Sequence, residues 1–381
     1  MKEKTSTARI IGTIIFFALK NLLHNVHAAI YLRIFVIPIY NPKIVCLLLY
    51  AVETRSLSKV YGNGLKAVDE ISIKIEEGEI FGFLGPNGAG KSTTIMVLTT
   101  LLKPTSGKAY VAGFDVVMEA KKVRQNIGYV QQESTVDEYL TGRENLELQA
   151  RLNHIPKNYI KKRIDDIIDL VELSDRQHDA VVTYSGGMRK RLDIAGGLLH
   201  RPKVLFLDEP TLGLDIQTRY KIWDYIRNIH KEFGMSIFLT THYMEEADKL
   251  CDNISIIDHG KIKVTGSPKA LKNALGNEVV VFEVDSDLKL ENLLSELKKL
   301  PLVKNVTTER YEITIFSPSG NQVTPKIFEL TGKLGVKIES ITLTKPTLDD
   351  VFLSHTGREL REESEGFNRK KEREKMRRLR A

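Results

Sequence analysis

Residues 80–93 read IFGFLGPNGAGKST, and this stretch decides the fold. The apolar run Ile80 to Leu84 has the length and composition of a buried strand. A glycine-rich turn follows at once, and Gly85 to Thr93 match the pattern G-x-x-x-x-G-K-[ST] in full. In such a loop the backbone N–H groups of Gly88, Gly90, Lys91, Ser92 and Thr93 wrap a β-phosphate, because glycine admits close approach and a helix begins there. Lys91 is expected to reach the β- and γ-phosphates, and the Ser92 hydroxyl to ligate Mg²⁺. Strand, loop and helix in that order imply an α/β domain.

Outward from the loop, short apolar strands alternate with amphipathic helices from Ala51 onward. Further expected strands are Ile71 to Ile75, Ile127 to Val130, Val204 to Leu207, Ser236 to Leu239 and Ile254 to Ile257. Between Gln132 and Arg201 the strands stop. Thr141 and Glu144 form a capping box ahead of ENLELQARL, and Tyr159 to Leu173 repeats apolar residues at helical spacing. A helical subdomain over about residues 133–200 is therefore expected inside the sheet domain.

VLFLDEP, 204–210, runs four apolar residues into two acids. A buried parallel strand presents its C-terminal side chains to the ligand crevice, so Asp208 is expected to hold Mg²⁺ through water and Glu209 to polarise the attacking water. Two unpartnered carboxylates at a strand end are costly unless a cation or a proton uses them. Gln132 and His242 follow IGYVQ and end SIFLTTH, two strands expected beside the glycine loop, which places both near the γ-phosphate. Tyr61, in SKVYGNG, offers a flat face on which adenine can stack. Taken singly, these residues suit a surface amide, a core aromatic and, for a lone histidine above all, a structural role; their positions favour the site. A second Ser-Gly-Gly turn, in TYSGGMRKRLDIAGG (183–197), opens a basic amphipathic helix and looks like another phosphate cradle, with no base pocket of its own.

Tyr61, GPNGAGKST, Gln132, YSGGM, VLFLDEP, TLGLD (211–215) and His242 stand in the order of the A-loop, Walker A, Q-loop, signature, Walker B, D-loop and H-loop of an ABC-transporter ATPase. From residue 51 to about 275 the chain resembles that family. The resemblance implies a P-loop NTPase cassette, α/β, with a sheet core and a helical subdomain, that binds and hydrolyses MgATP. It implies catalytic roles for Lys91, Gln132, Glu209 and His242, and Mg²⁺ contacts from Ser92, Gln132 and Asp208. Nucleotide contacts would come from Tyr61 and from Gly85, Pro86, Asn87, Gly88, Ala89, Gly90, Lys91, Ser92 and Thr93. Asp215 would lie across a dimer interface, and the helical subdomain would face a membrane permease on a separate chain, holding this one at the cytoplasmic face of the cell membrane. Ser185, Gly186 and Gly187 then make sense as contacts to the γ-phosphate held by a second copy, which makes the working unit a homodimer. The common signature is LSGGQ; Tyr184 and Met188 depart from it, and Met cannot donate the amide hydrogen bond of Gln.

After Gly276 the pattern changes. EVVVFEV (278–284), a helix over Leu290 to Leu300, VKNVT, YEITIF, a helix over Pro325 to Leu334 and VKIESITLT give the order βαββαβ, a small ferredoxin-like α+β domain over residues 277–345. A segment from 346 to 381 follows. Its KPTLDDVFLSHTGREL (345–360), with YSGGMRKRL, resembles the daunorubicin/doxorubicin export branch of the family, which implies export of an amphiphilic or drug-like substrate. Whether the small domain is a ligand-sensing switch or a dimer-stabilising lid stays open.

Composition bounds the remaining readings. At 381 residues, 42% hydrophobic and 28% charged, the chain has room for two globular domains. Cys46 and Cys251 are isolated, which excludes a disulfide framework and a zinc site through cysteine. Much of the net charge of +7 belongs to the tail, where eight Lys and Arg between Phe367 and Ala381 face two acids. Such a tail touches anionic lipid or RNA, or is simply solvated. The longest non-polar run, Ile10 to Leu19, is too short to span a bilayer. Residues 1–50 are therefore a membrane-leaning extension or a reading frame begun upstream of the true start; the clean onset of the domain pattern at Ala51 favours the second. A soluble ABC ATPase acting on ribosome or nucleic acid is the competing function. Ribosome-associated members usually carry two cassettes, and DNA-repair members insert a long coiled coil between the Walker motifs. This chain has one cassette and a short Lys91-to-Asp208 interval, so no nucleic-acid partner is expected.

Overall fold

The computed structural model describes residues 50–276, 278–285 and 290–356; the N-terminal extension and the basic tail lie outside the described residues. β1 (Tyr50–Val60), β2 (Lys66–Ile71) and β3 (Lys74–Glu76) begin an antiparallel sheet. β4 (Ile80–Leu84) starts a second sheet and leads through the glycine loop into α1 (Lys91–Leu98). β5 (Ser106–Val111) and β6 (Phe114–Asp115) return to the first, whose order is β2-β1-β5-β6 with β3 on β1. The strand expected over Ile71 to Ile75 is split between β2 and β3. The buried Thr54 hydroxyl replaces the missing ladder there, donating to the Ile71 carbonyl at 3.1 Å and accepting from the Ile73 N–H at 2.9 Å. Ile71, Ile73 and Ile75 remain on one buried face, so the period-2 pattern survives the break.

The second sheet takes β7 (Ile127–Val130) after α2 (Ala120–Asn126). Then come α3 (Gly142–Leu152), α4 (Lys157–Leu170) and α5 (Gly186–Leu198), with only two short 3₁₀ turns between the last two. The expected capping box forms at the start of α3: the Thr141 N–H donates to Glu144 Oε2 at 2.8 Å and the Glu144 N–H to Thr141 Oγ1 at 3.2 Å. β8 (Val204–Asp208), α6 (Ile216–Phe233), β9 (Ser236–Thr241), α7 (Met244–Leu250), β10 (Asn253–Asp258), β11 (Lys261–Gly266) and α8 (Pro268–Leu275) complete it. The order is β11-β10-β4-β9-β8-β7, parallel except for the β10–β11 hairpin.

Both faces of the central strands are covered, as parallel strands require. Phe81, Phe83 and Phe206 surround Phe238 on one face, with ring centroids 5.5 to 5.8 Å apart, while Leu205, Leu207, Ile237 and Leu239 belong to the core on the helical side. Register aligns the C-terminal ends: Leu84 pairs with Thr241, Thr240 with Asp208, and Leu207 with Val130. This order corrects one expectation. β9, which leads to His242, does lie beside β4, but β7, which leads to Gln132, is an edge strand with β8 and β9 in between. Neighbour choice follows from how the crossover helices pack, which local sequence does not encode.

β12 (Glu278–Val284), α9 (Leu290–Lys299), β13 (Asn305–Glu309), β14 (Glu312–Ser317), α10 (Gly320–Leu334) and β15 (Ile338–Thr344) form the antiparallel sheet β13-β14-β12-β15 with two helices. Phe282, Leu293, Leu297, Ile315, Val323 and Ile327 share its own core. The helix expected from Pro325 begins earlier, at Gly320. Glu278, on β12, caps it from a distance, accepting from the Gly320 N–H at 2.6 Å and the Asn321 N–H at 3.4 Å. The last helix, α11 (Leu348–Thr356), buries Leu348, Val351 and Phe352 in the core shared by α6, α7 and α8. The KPTLDDVF motif thus folds back onto the first domain.

Candidate active site

The glycine loop is shaped by what its neighbours exclude. A Cβ on Gly85 would stand 2.2 Å from the Ile257 carbonyl oxygen, and one on Gly90, at φ 107°, 2.3 Å from that of Ala67. Ala89 and Gly90 are buried, whereas Pro86 is half-buried and Asn87 and Gly88 are exposed at the rim. Lys91 opens α1 with its ammonium turned back into the loop. Its Nζ donates to the carbonyls of Gly85 (2.8 Å) and Pro86 (3.1 Å) and forms an ion pair with Glu209 Oε1 at 3.0 Å.

The two acids of VLFLDEP have different partners. Asp208 Oδ1 accepts from the Thr240 hydroxyl at 2.6 Å and from the Ser92 hydroxyl at 3.3 Å. Glu209 follows the strand at φ 47°, a left-handed turn that is costly for a side chain with a Cβ. Its N–H is held by Thr240, at 3.1 Å from the hydroxyl and 3.1 Å from the carbonyl. His242 Nδ1 stands 3.1 Å from Glu209 Oε2. Burial pushes the Asp208 carboxyl above its ordinary range, only partly offset by the Thr240 and Ser92 bonds. Burial acts on Glu209 as well, but the His242 hydrogen bond and the Lys91 charge outweigh it and hold that carboxyl below the usual range. Glu209 is therefore an anion at neutral pH. Ser92 and Asp208 bring two hard oxygens together, a pair that suits Mg²⁺. Among the described residues no cluster of three or more His, Cys, Asp or Glu forms a protein cage for a metal. Mg²⁺ commonly completes its shell with water and phosphate instead.

Tyr61 is half-buried next to the loop, its hydroxyl 3.2 Å from Thr93 Oγ1 and its ring 5.7 Å from Lys59 Nζ. Tyr61→Ala is expected to weaken nucleotide binding by about 1–2 kcal/mol, the scale of a lost aromatic contact, and Tyr61→Phe to leave it unchanged. Equal Kd values for wild type and Tyr61→Ala in a titration would refute stacking.

Gln132 is exposed, and its loop is gripped by α5. Lys190 Nζ donates to the carbonyls of Gln131 (2.9 Å) and Gln132 (3.1 Å), and Asp193 Oδ1 accepts from the Thr135 N–H (3.0 Å) and hydroxyl (3.1 Å). Both charged side chains are buried. Sequence reading took this helix for a basic face and missed them; their only signal is a Lys and an Asp spaced i, i+3 on one side of it.

Ser185 is the N-cap of α5, its Oγ accepting from the Met188 N–H at 3.3 Å, and Ser185 and Gly186 are exposed. Among the described residues no hydrogen bond or ion pair joins Ser185, Gly186 or Gly187 to the glycine loop. Gly187 lies against α6 instead: a Cβ there would meet Thr218 Cγ2 at 2.5 Å. Asp215 caps α6, taking the Thr218 N–H at 3.0 Å and hydroxyl at 2.7 Å, bonds that lower its pKa. The departures from LSGGQ are packing choices. Tyr184 is buried with its hydroxyl donating to the Arg176 carbonyl at 2.6 Å, and Met188 packs against the helical-side core.

Known proteins resemble this chain in sequence and in fold. Residues 68–212 match the ABC transporter family, and residues 266–356 match the C-terminal domain of DrrA1-3-like ATP-binding proteins. The daunorubicin/doxorubicin resistance ATP-binding protein DrrA of Streptomyces peucetius is 40% identical over 310 residues, covering 81% of this chain and 92% of that protein. The linearmycin resistance ATP-binding protein LnrL of Bacillus subtilis is 36% identical over 313 residues, covering 81% and 99%. Among solved structures, the dimeric post-hydrolysis cassette MJ0796 bound to ADP and Pi aligns with a TM-score of 0.52 at 26% identity, over 57% of this chain and 98% of that one.

Proposed function

The chain belongs to the ABC transporter family of ATP-binding subunits and hydrolyses ATP, and from that premise we propose that it powers export of an amphiphilic or drug-like substrate through a permease on a separate chain. One observation carries the hydrolytic part: the ends of β4, β8 and β9 bring Lys91, Ser92, Asp208, Glu209 and His242 into one bonded cluster.

In this reading adenine stacks on Tyr61 and the phosphates enter the loop. Lys91 exchanges Glu209 for the β- and γ-phosphates, since its bonds to Gly85 and Pro86 already point it into the loop. Glu209, released on one oxygen and still held by His242 on the other, takes a proton from the attacking water. Ser92, Gln132 and Asp208 would hold Mg²⁺, which when bound neutralises charge on the β- and γ-oxygens. Ser185 and Gly186, exposed and not bonded to the glycine loop of their own chain, serve the γ-phosphate of a second copy, together with Asp215. The working unit is then a homodimer that closes on ATP and reopens after hydrolysis.

Among the described residues no helix is long and apolar enough to cross a membrane. The helical subdomain leaves Tyr139 (91%), Leu152 (63%), Leu148 (45%) and Tyr159 (55%) in solvent, apolar surface of the kind a permease covers at the cytoplasmic face. Co-expression with its cognate permease is expected to give inverted vesicles that accumulate a fluorescent amphiphile with ATP. Accumulation should vanish with Lys91→Ala. Copurification with ribosomes, and ATPase indifferent to the permease, would remove the export reading.

A further inference from the structure

Glu246, in α7, has no solvent exposure and no place in the cluster above. Its Oε1 accepts two hydrogen bonds, from the Thr211 hydroxyl at 2.8 Å and from the Trp223 indole N–H at 2.9 Å. Thr211 lies two residues past Glu209, and Trp223 lies on α6, whose N-cap is Asp215. One carboxylate oxygen therefore joins the 209–215 loop, at Thr211, to the interior of the helix that follows it. The same helix begins two residues after His242, whose imidazole meets Glu209. Glu209, His242, α7, Glu246 and Thr211 close a ring.

Joining α6 to α7 does not by itself need a buried acid. Tyr220 donates to Glu245 at 2.6 Å and Arg219 stacks over the Tyr243 ring at 3.8 Å, both outside the core. A carboxylate without exposure is expensive compared with an apolar side chain of similar volume. What Glu246 adds to those two ties is a buried acceptor shared by Trp223 and Thr211, and only the bond to Thr211 reaches the 209–215 loop.

We propose that Glu246 is a positioning residue for ATP hydrolysis, setting through Thr211 where Glu209 and Asp215 stand and tying that loop to the helix behind His242. The inference rests on the reading that Glu209 and Asp215 act at the γ-phosphate. It assigns to the helix behind His242 the task of placing the loop, beyond any contact to nucleotide.

Full-length Thr211→Val, Glu246→Leu, which removes the accepting oxygen, and the double variant test it by steady-state ATPase and thermal melts. Each single variant is expected to lose between about tenfold and a hundredfold in kcat, the scale of a misplaced reacting group, with KM for ATP within about twofold. The double variant should be no worse than the worse single one, because both cut the same contact. Trp223, the single tryptophan of the sequence, supplies a control: its resting emission should be unchanged in Thr211→Val, where its own bond to Glu246 persists. Wild-type kcat in Thr211→Val, additive losses in the double variant, or a rise in KM matching the fall in kcat would overturn the proposal. If Glu246→Leu does not fold, the near-isosteric Thr211→Val decides alone. Glu209→Gln is run beside them: turnover at the wild-type rate there defeats the reading of the site, whereas an inactive Glu209→Gln with a normal Thr211→Val defeats only the role of Glu246.

Discussion

Glu209→Gln is expected to bind ATP and scarcely turn it over, losing about 10²–10⁴-fold in kcat, the range of a removed general base. The amide oxygen still accepts from His242 but takes no proton from water. Lys91 loses an anionic partner 3.0 Å away, so its charge is freer for the phosphates and affinity should hold or improve. The step that reopens the dimer is then blocked after closure. Gel filtration with MgATP should show a stable dimer that wild type forms only briefly, and Glu209→Gln carrying Lys91→Ala should not. Rapid phosphate release by Glu209→Gln would take Glu209 out of the base role.

Mixing two inactive chains should restore hydrolysis. Lys91→Ala removes the ammonium that sits in the glycine loop, and Ser185→Arg fills the exposed turn ahead of α5. In a dimer with shared sites, the mixed pair puts both defects in one site and leaves the other intact. Equal mixing makes half the dimers mixed, so up to roughly a quarter of wild-type turnover should return. Sites complete within one chain predict none. A mixture that dimerises, shown by cross-linking or light scattering, yet stays inactive refutes the shared site.

The relation between sequence and structure differs from residue to residue. GPNGAGKST and VLFLDEP were legible because the pattern of each is local, a five-residue buried strand and then a short motif, although the atoms that crowd Gly85 and Gly90 are the distant carbonyls of Ile257 and Ala67. The capping box at Thr141 was legible for the same reason. The start of α10 was not, because its cap is Glu278, forty-two positions upstream on another strand. Nor was the bridge from Thr240 to Asp208 and Glu209, which joins neighbouring strands through a threonine with no motif of its own.

By itself the sequence determined the local pieces: the strand, glycine turn and helix around Lys91, the two acids at the end of β8, and a second Ser-Gly-Gly turn that opens a helix. Only the tertiary structure decided who stands beside whom. It set β9 next to β4 and β7 at the edge, seated Lys190 and Asp193 on the Gln132 loop, and returned α11 to the first core. The reason is one of range. Glycine turns, caps and hydrophobic periods act within a few residues, while strand order and buried charge pairs depend on packing between segments far apart in the chain, where many sequences serve equally well.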